Sequence, residues 1–182
     1  MGGDQDKARF QDVVMPHLAD ALTLARWISG NRTDAEDILQ EACLRAYRGI
    51  NGFAGGSPRA WVLAVVRNTA YTWLMKHRSP MLVSIEDLSA TESAEIELTD
   101  GGADATGLTP EAELIAKADA EQLKCAIAAL PLVFRETLVL RDVQGLNYRE
   151  IADITGVPIG TVMSRLARAR RHLFKAIGAK KQ

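Results

Sequence analysis

This chain of 182 residues has two cysteines, six prolines, 5% aromatic residues and no long apolar run. Cys43 and Cys125 lie far apart and match no metal-ligand spacing, so no disulfide framework or metal site is expected, and a reducing cytoplasm is the expected compartment. Nothing approaches the roughly 18 consecutive apolar residues of a transmembrane helix, so no membrane insertion is expected. The start Met1-Gly2-Gly3-Asp4-Gln5-Asp6 lacks the basic residues and apolar stretch of a secretory signal. There is no glycine-rich phosphate loop and no legible pair of nucleophile and base, so neither a cofactor nor covalent catalysis is expected. No internal repeat appears. What is present, 47% hydrophobic and 25% charged residues with Ala and Leu prominent, describes a folded, all-α protein of one or two domains.

A formal charge of −1 conceals a strong asymmetry along the chain. From Met1 to Ser79 the balance is +2, and Pro80 to Ala116 carries nine acidic residues without one Lys or Arg. From Lys117 onward the balance is +6, and Arg165 to Lys181 holds seven basic residues and no acid. A basic end suggests a polyanion partner. The middle is also rich in Ser, Thr and Gly from Pro80 to Thr109 and lacks a sustained helical period, apart from a short patch around Ile85 to Leu88. It reads as an acidic linker between two helical domains at residues 1–79 and 110–182.

In the first domain Thr33 is placed as the N-cap of a helix, with Glu36 completing a capping box. Ala35, Ile38, Leu39, Ala42 and Ala46 then form a buried stripe. Asp37, Gln40, Leu44 and Arg48 project from the opposite side, bordered by Glu41. An outward leucine among polar residues suits docking of another helix. Asp34, Asp37 and Glu41 share a side roughly, but no His accompanies them as a further metal ligand. A glycine-rich stretch from Gly49 to Pro58 describes a mobile or tightly turned loop. The next helix buries Val62, Val66, Thr69, Ala70 and Trp73, and turns Arg67, Asn68, Tyr71 and Arg78 outward. Cations for phosphates, an amide for base edges and a ring for stacking suit unpaired DNA. His77 has no partner at ligand spacing.

In the second domain a helix starts at Leu130-Pro131 and ends at Gln144-Gly145. Asn147-Tyr148-Arg149-Glu150 forms a capping box, Thr155-Gly156-Val157-Pro158 a tight turn, and a third helix runs from Ile159 to about Ile177. Val162, Leu166, Ala169 and Leu173 form its buried stripe, with Ser164, Ala167, Arg168, Arg171 and Lys175 opposite. Helix, glycine turn and cation-faced helix make a helix-turn-helix, whose second helix enters the DNA major groove.

These segments resemble, in order, three blocks of the extracytoplasmic-function (group 4) sigma factors of the sigma-70 family. Thr33 to Tyr47 (TDAEDILQEACLRAY) looks like the polymerase-binding region, Trp61 to Asn68 (WVLAVVRN) like the block that follows, and Gly156 to Arg170 (GVPIGTVMSRLARAR) like the helix-turn-helix signature. The resemblance implies a bacterial initiation factor that binds core RNA polymerase and directs promoter-specific transcription. Asp37, Gln40, Glu41 and Leu44 match positions that contact the clamp helices of the largest subunit. Arg67, Asn68, Tyr71 and Arg78, with the Gly49–Ser57 loop, would capture the non-template strand of the −10 element. Met163, Ser164, Ala167, Arg168 and Arg171 would face the −35 element. Met163 stands where many members carry Arg or Lys, and a Met suits a thymine methyl instead. An anti-sigma factor is the further partner that the family implies.

Unstacking a base costs a few kcal/mol and stacking on an aromatic ring returns about 1–3 kcal/mol. One Tyr therefore offsets about one flipped base, and wider melting must draw on polymerase contacts. Two DNA elements about two helical turns apart are separated by roughly 70 Å. The 30 residues from Pro80 to Thr109 form a coil of about 30 Å that extends to about 100 Å, so both elements are within reach. Two other readings compete: a helix-turn-helix regulator binding an operator without polymerase, and a small helical enzyme built on Asp34, Asp37 and Glu41.

Overall fold

Apolar residues at helical spacing produce helices throughout the residues that the computed structural model describes, 2–77 and 110–178, and no strand occurs among them. The first half contains α1 (Gly2–Val13), α2 (Leu18–Ser29), α3 (Arg32–Gly49) and α4 (Pro58–His77). The second contains α5 (Pro110–Ala128), α6 (Leu132–Leu138), α7 (Tyr148–Thr155) and α8 (Ile159–Gly178). A wide π-type turn, Val139–Val143, continues α6. The all-α class expected from composition is the class observed. The expected linker from Pro80 to Thr109, with its patch at Ile85–Leu88, lies outside the described residues, as does Arg78.

Helix ends follow local chemistry, with one correction. Gly30 closes α2 in the left-handed region at φ 83°, and the extended Asn31 that follows is the N-cap of α3. Asn31 Oδ1 accepts from the Asp34 amide at 2.8 Å, while its Nδ2 donates to Asp34 Oδ2 at 2.6 Å. Thr33 therefore lies inside the first turn and is not the cap. The turn geometry places the cap two residues earlier, and Glu36 pairs with Arg32 one turn back, at 2.8 Å. The expected box at α7 is present: Asn147 Oδ1 accepts from the Glu150 amide, and Glu150 Oε2 accepts from the Asn147 amide. Pro58 occupies the first position of α4, where its missing N–H costs nothing.

Small residues set the spacing of the first half. Ala35, Ile38, Ala42 and Ala46 of α3 are buried, as are Ala21, Leu24, Ala25 and Ile28 of α2 and Val62, Val66, Thr69 and Ala70 of α4. Small side chains at these buried positions let the three helices pack closely on one another. In the second half Leu138, Val139, Leu140, Leu146, Ile151, Ile154, Val162, Leu166 and Ala169 are buried together, and Leu173 packs at their edge. Trp73, expected in the core, is half-buried at its margin and stacks on His77 with ring centroids 4.0 Å apart.

The two halves pack against each other, α4 on α7 and α2 on α6. Polar joints line this contact. Arg59 Nε donates to Asp20 Oδ2 at 2.6 Å and its Nη2 to the Gln144 carbonyl at 2.8 Å, while Gln144 Nε2 donates to the Asp20 carbonyl at 2.7 Å. Arg135 Nη1 donates to the Trp27 carbonyl at 3.1 Å.

Between α7 and α8 the chain reverses at Gly156, which has φ 69° and no atom within 4 Å of where a Cβ would stand. Gly156→Ala therefore incurs conformational strain without a clash. Chemical denaturation should show a loss of about 1–2 kcal/mol, and an Asn there should recover part of it.

Candidate functional site

Three surfaces carry the residues singled out from the sequence. On α3, burial of the alanine stripe turns Asp37, Gln40, Leu44 and Arg48 to solvent, with Glu41 half-buried beside them. Leu44 is 54% exposed, although nothing prevents a polar residue at that position. Arg45 Nε donates to Glu41 Oε1 at 2.8 Å and holds that carboxyl below its usual range. The possible metal or catalytic cluster is taken apart by its neighbours, Asp34 being held by Asn31 and Glu41 by Arg45. Among the described residues no group of three or more His, Cys, Asp or Glu is placed to hold a metal ion.

On α8, Met163, Ser164, Ala167, Arg168 and Arg171 are all exposed, with Met163 at 53%. The opposite stripe of Val162, Leu166 and Ala169 anchors the helix on α6 and α7. Arg170, between the two faces, reaches back to Asp142 at 2.7 and 3.2 Å. The helix-turn-helix thus presents an outward row of one thioether, one hydroxyl and two guanidinium groups.

The α4 surface differs from expectation. Asn68 is exposed, but Arg67 and Tyr71 face the second half of the same chain instead of solvent. Arg67 forks onto Glu136 of α6, Nε to Oε2 at 2.9 Å and Nη2 to Oε1 at 3.1 Å. Tyr71 Oη donates to Glu136 Oε2 at 2.9 Å, and the Arg67 guanidinium lies 4.4 Å from the Tyr71 ring centroid. Glu136 has no accessible surface, and Arg165 of α8 stands 3.9 Å from its Oε1. Burial works against the Arg67 charge, but the Glu136 carboxylate outweighs it and holds the guanidinium above its usual range. Burial, reinforced by Glu136, pushes the Tyr71 phenol far above its own. Such a buried pair adds little net stability, yet removing one member costs about 3–5 kcal/mol because a charge is left unpaired.

The Gly49–Ser57 loop is pinned. Ile50–Gly52 form one 3₁₀ turn, Phe53 is buried against Trp61 with ring centroids 5.4 Å apart, and an Arg9 guanidinium donates to the Phe53 carbonyl. Only Gly55 and Gly56, at φ 117° and 95°, form its sharp corner.

Sequence reasoning missed Glu136, Arg165 and the joint of Arg59, Asp20 and Gln144. One signal was available for Glu136. It lies four residues after Leu132 and three and four before Val139 and Leu140, all buried, so its helical register pointed to an acid on a core face.

The sigma-70 region 2 family matches residues 13–79, and the sigma-70 region 4 family matches residues 120–173. The ECF RNA polymerase sigma-E factor of Escherichia coli K12 is 33% identical over 171 residues, covering 92% of this chain and 85% of that protein. That of Haemophilus influenzae is 33% identical over 157 residues, covering 85% and 79%. Among solved structures, the sigma factor RpoE of Bartonella quintana, in complex with the anti-sigma factor NepR, matches with a TM-score of 0.69 and 25% identity over 93% of this chain and 96% of that one. CnrH, in complex with the cytosolic domain of CnrY, shares the fold at a TM-score of 0.59 and 22% identity. The polar stripe around Leu44 lies within the segment matched by region 2 and the helix-turn-helix within that matched by region 4, and the chain belongs to the extracytoplasmic-function RNA polymerase sigma factors of the sigma-70 family.

Proposed function

We propose that this sigma factor docks on the clamp helices of core RNA polymerase through Asp37, Gln40, Glu41 and Leu44. The observation that carries this reading is the large apolar side chain of Leu44, held 54% exposed within a polar stripe on the side of α3 away from the core. An exposed leucine among polar residues is suited to a hydrophobic contact with another protein, and the flanking acid and amide give that contact direction. Residues 1–79 form the region 2 domain, 80–109 the acidic linker and 110–182 the region 4 domain.

Promoter recognition is divided between the two domains. Arg67, Asn68 and Tyr71 of α4, with Arg78, hold the unpaired non-template strand at −10, the guanidinium on phosphate and the ring under a base. Met163, Ser164, Ala167, Arg168 and Arg171 face the −35 element in the major groove. In this reading the chain performs no covalent chemistry and works in the cytoplasm, where the polymerase is. No described helix is long and apolar enough to cross a membrane. The match to an RpoE co-crystallised with the anti-sigma factor NepR supports an anti-sigma partner for this chain also. A regulator acting without polymerase would leave the region 2 match and the Leu44 stripe unexplained.

Leu44→Asp should remove at least about 2 kcal/mol of binding to core polymerase, seen as lost co-purification, while circular dichroism stays unchanged. Retained co-purification would dismiss the stripe as the docking surface. Arg168→Ala should weaken binding of the holoenzyme to −35 DNA by about 1–3 kcal/mol at one base position. An equal loss for every −35 sequence would reassign Arg168 to a phosphate.

A further inference from the structure

The surface assigned to the −10 strand is the one that this chain covers with itself. Arg67 and Tyr71 both point at the Glu136 carboxylate, the guanidinium through two parallel N–H groups and the phenol through its hydroxyl. A guanidinium fork binds carboxylate and phosphate with the same planar geometry. The ring of Tyr71, which would lie under a base, is instead occupied by the Arg67 guanidinium and shielded from solvent.

We propose that Glu136 is a built-in substitute for promoter phosphate, locking Arg67 and Tyr71 in the closed chain so that the free factor is self-blocked for single-stranded DNA. The inference rests on the assignment of Arg67 and Tyr71 to the −10 strand. Three features make the contact a lock that opens without unfolding either half. First, Arg165 belongs to the same half as Glu136 and already stands 3.9 Å from Oε1, so the carboxylate keeps a cation when Arg67 leaves. Second, α4 packs on α2 and α3 with Val62 and Val66 buried, inside the first half, so the bundle does not depend on Glu136. Third, the rest of the seam is the packing of α4 on α7 and of α2 on α6 with three polar links, from Arg59 to the Gln144 carbonyl, from Gln144 to the Asp20 carbonyl and from Arg135 to the Trp27 carbonyl, and these join the halves without forming part of either half's own helix contacts.

The cover is selective. Leu44, Asp37 and Gln40 stay exposed, and so do Met163, Ser164, Ala167 and Arg168. A closed chain therefore meets polymerase through an open docking stripe while Arg67 and Tyr71, the phosphate fork and the stacking ring, are withheld. Separation of α4 from α6 and α7 then hands Arg67 from Glu136 to phosphate.

The test uses the full-length protein and a fluorescein-labelled pool of random single-stranded 15-mers. Glu136→Gln keeps the shape and removes the charge, and Arg59→Ala breaks the second joint without touching Glu136, Arg67 or Tyr71. Each should tighten binding of the pool about tenfold, and adding Arg67→Ala to either should erase the gain. Spin labels at Gln11→Cys and Asp153→Cys, one in each half and with Cys43 and Cys125 replaced by Ser, should report one narrow distance distribution in the parent and broader, longer distances in both variants. Unchanged strand binding in both variants, while Arg67→Ala cripples promoter opening by the holoenzyme, overturns the lock and leaves the −10 assignment standing. Longer distances without tighter binding, together with an Arg67→Ala holoenzyme that opens promoters normally, overturn the −10 assignment and the lock with it. A broad distance distribution in the parent chain also overturns the lock.

Discussion

A carboxylate with no accessible surface must be surrounded by donors and cations, and Glu136 draws them from two helices, one in each half of the chain. Its contacts with Arg67, Tyr71 and Arg165 couple the position of α4 to that of α6 and α8. The desolvation of such a group roughly cancels the attraction it gains, so the contact fixes geometry more than it adds stability. That balance suits an interface between domains. Apolar burial runs through both halves, and the seam between them adds directional polar links that water or another anion can replace.

Within each half the division of labour between helix faces follows from residue size. Alanines on the inner side of α3 let the α2–α4 bundle close tightly, which leaves the outer side of α3 free to carry residues that serve no internal packing. Leu44 is the clearest of these. In α8 the buried Val162, Leu166 and Ala169 fix the rotation of the helix, and the exposed row at Met163, Ser164, Ala167 and Arg168 follows from that rotation at about 100° per residue.

Much of this was legible because it is local. The cap at Asn147, the glycine turn at Gly156 and the two stripes of α8 are short-range patterns with a period of 3.6 residues. The α3 cap was misplaced by two residues because Thr33 and Glu36 imitate a capping box, whereas the left-handed Gly30 decides where the helix begins. The polar stripe around Leu44 on α3 and the outward row of α8 needed only the position of each core. The environment of Arg67 and Tyr71 could not be read in this way. Glu136 is 69 residues from Arg67 along the chain, and no periodicity within α4 reveals which element covers it. A Glu at a core register in α6 showed that a partner was needed but did not identify Arg67.

The wide turn at Val139–Val143 has a consequence for the reading helix. Arg141 donates to the Leu146 carbonyl at 2.8 Å and lies over the Tyr148 ring, while the next residue, Asp142, holds Arg170 on α8. Neighbouring side chains on one loosened turn thus brace both helices of the helix-turn-helix. Removing one residue from this turn would rotate the two braces by about 100° relative to α6, changing the pitch of α8 without altering any residue of its exposed row. Length variation here would retune how α8 is presented, independently of side-chain identity in that helix.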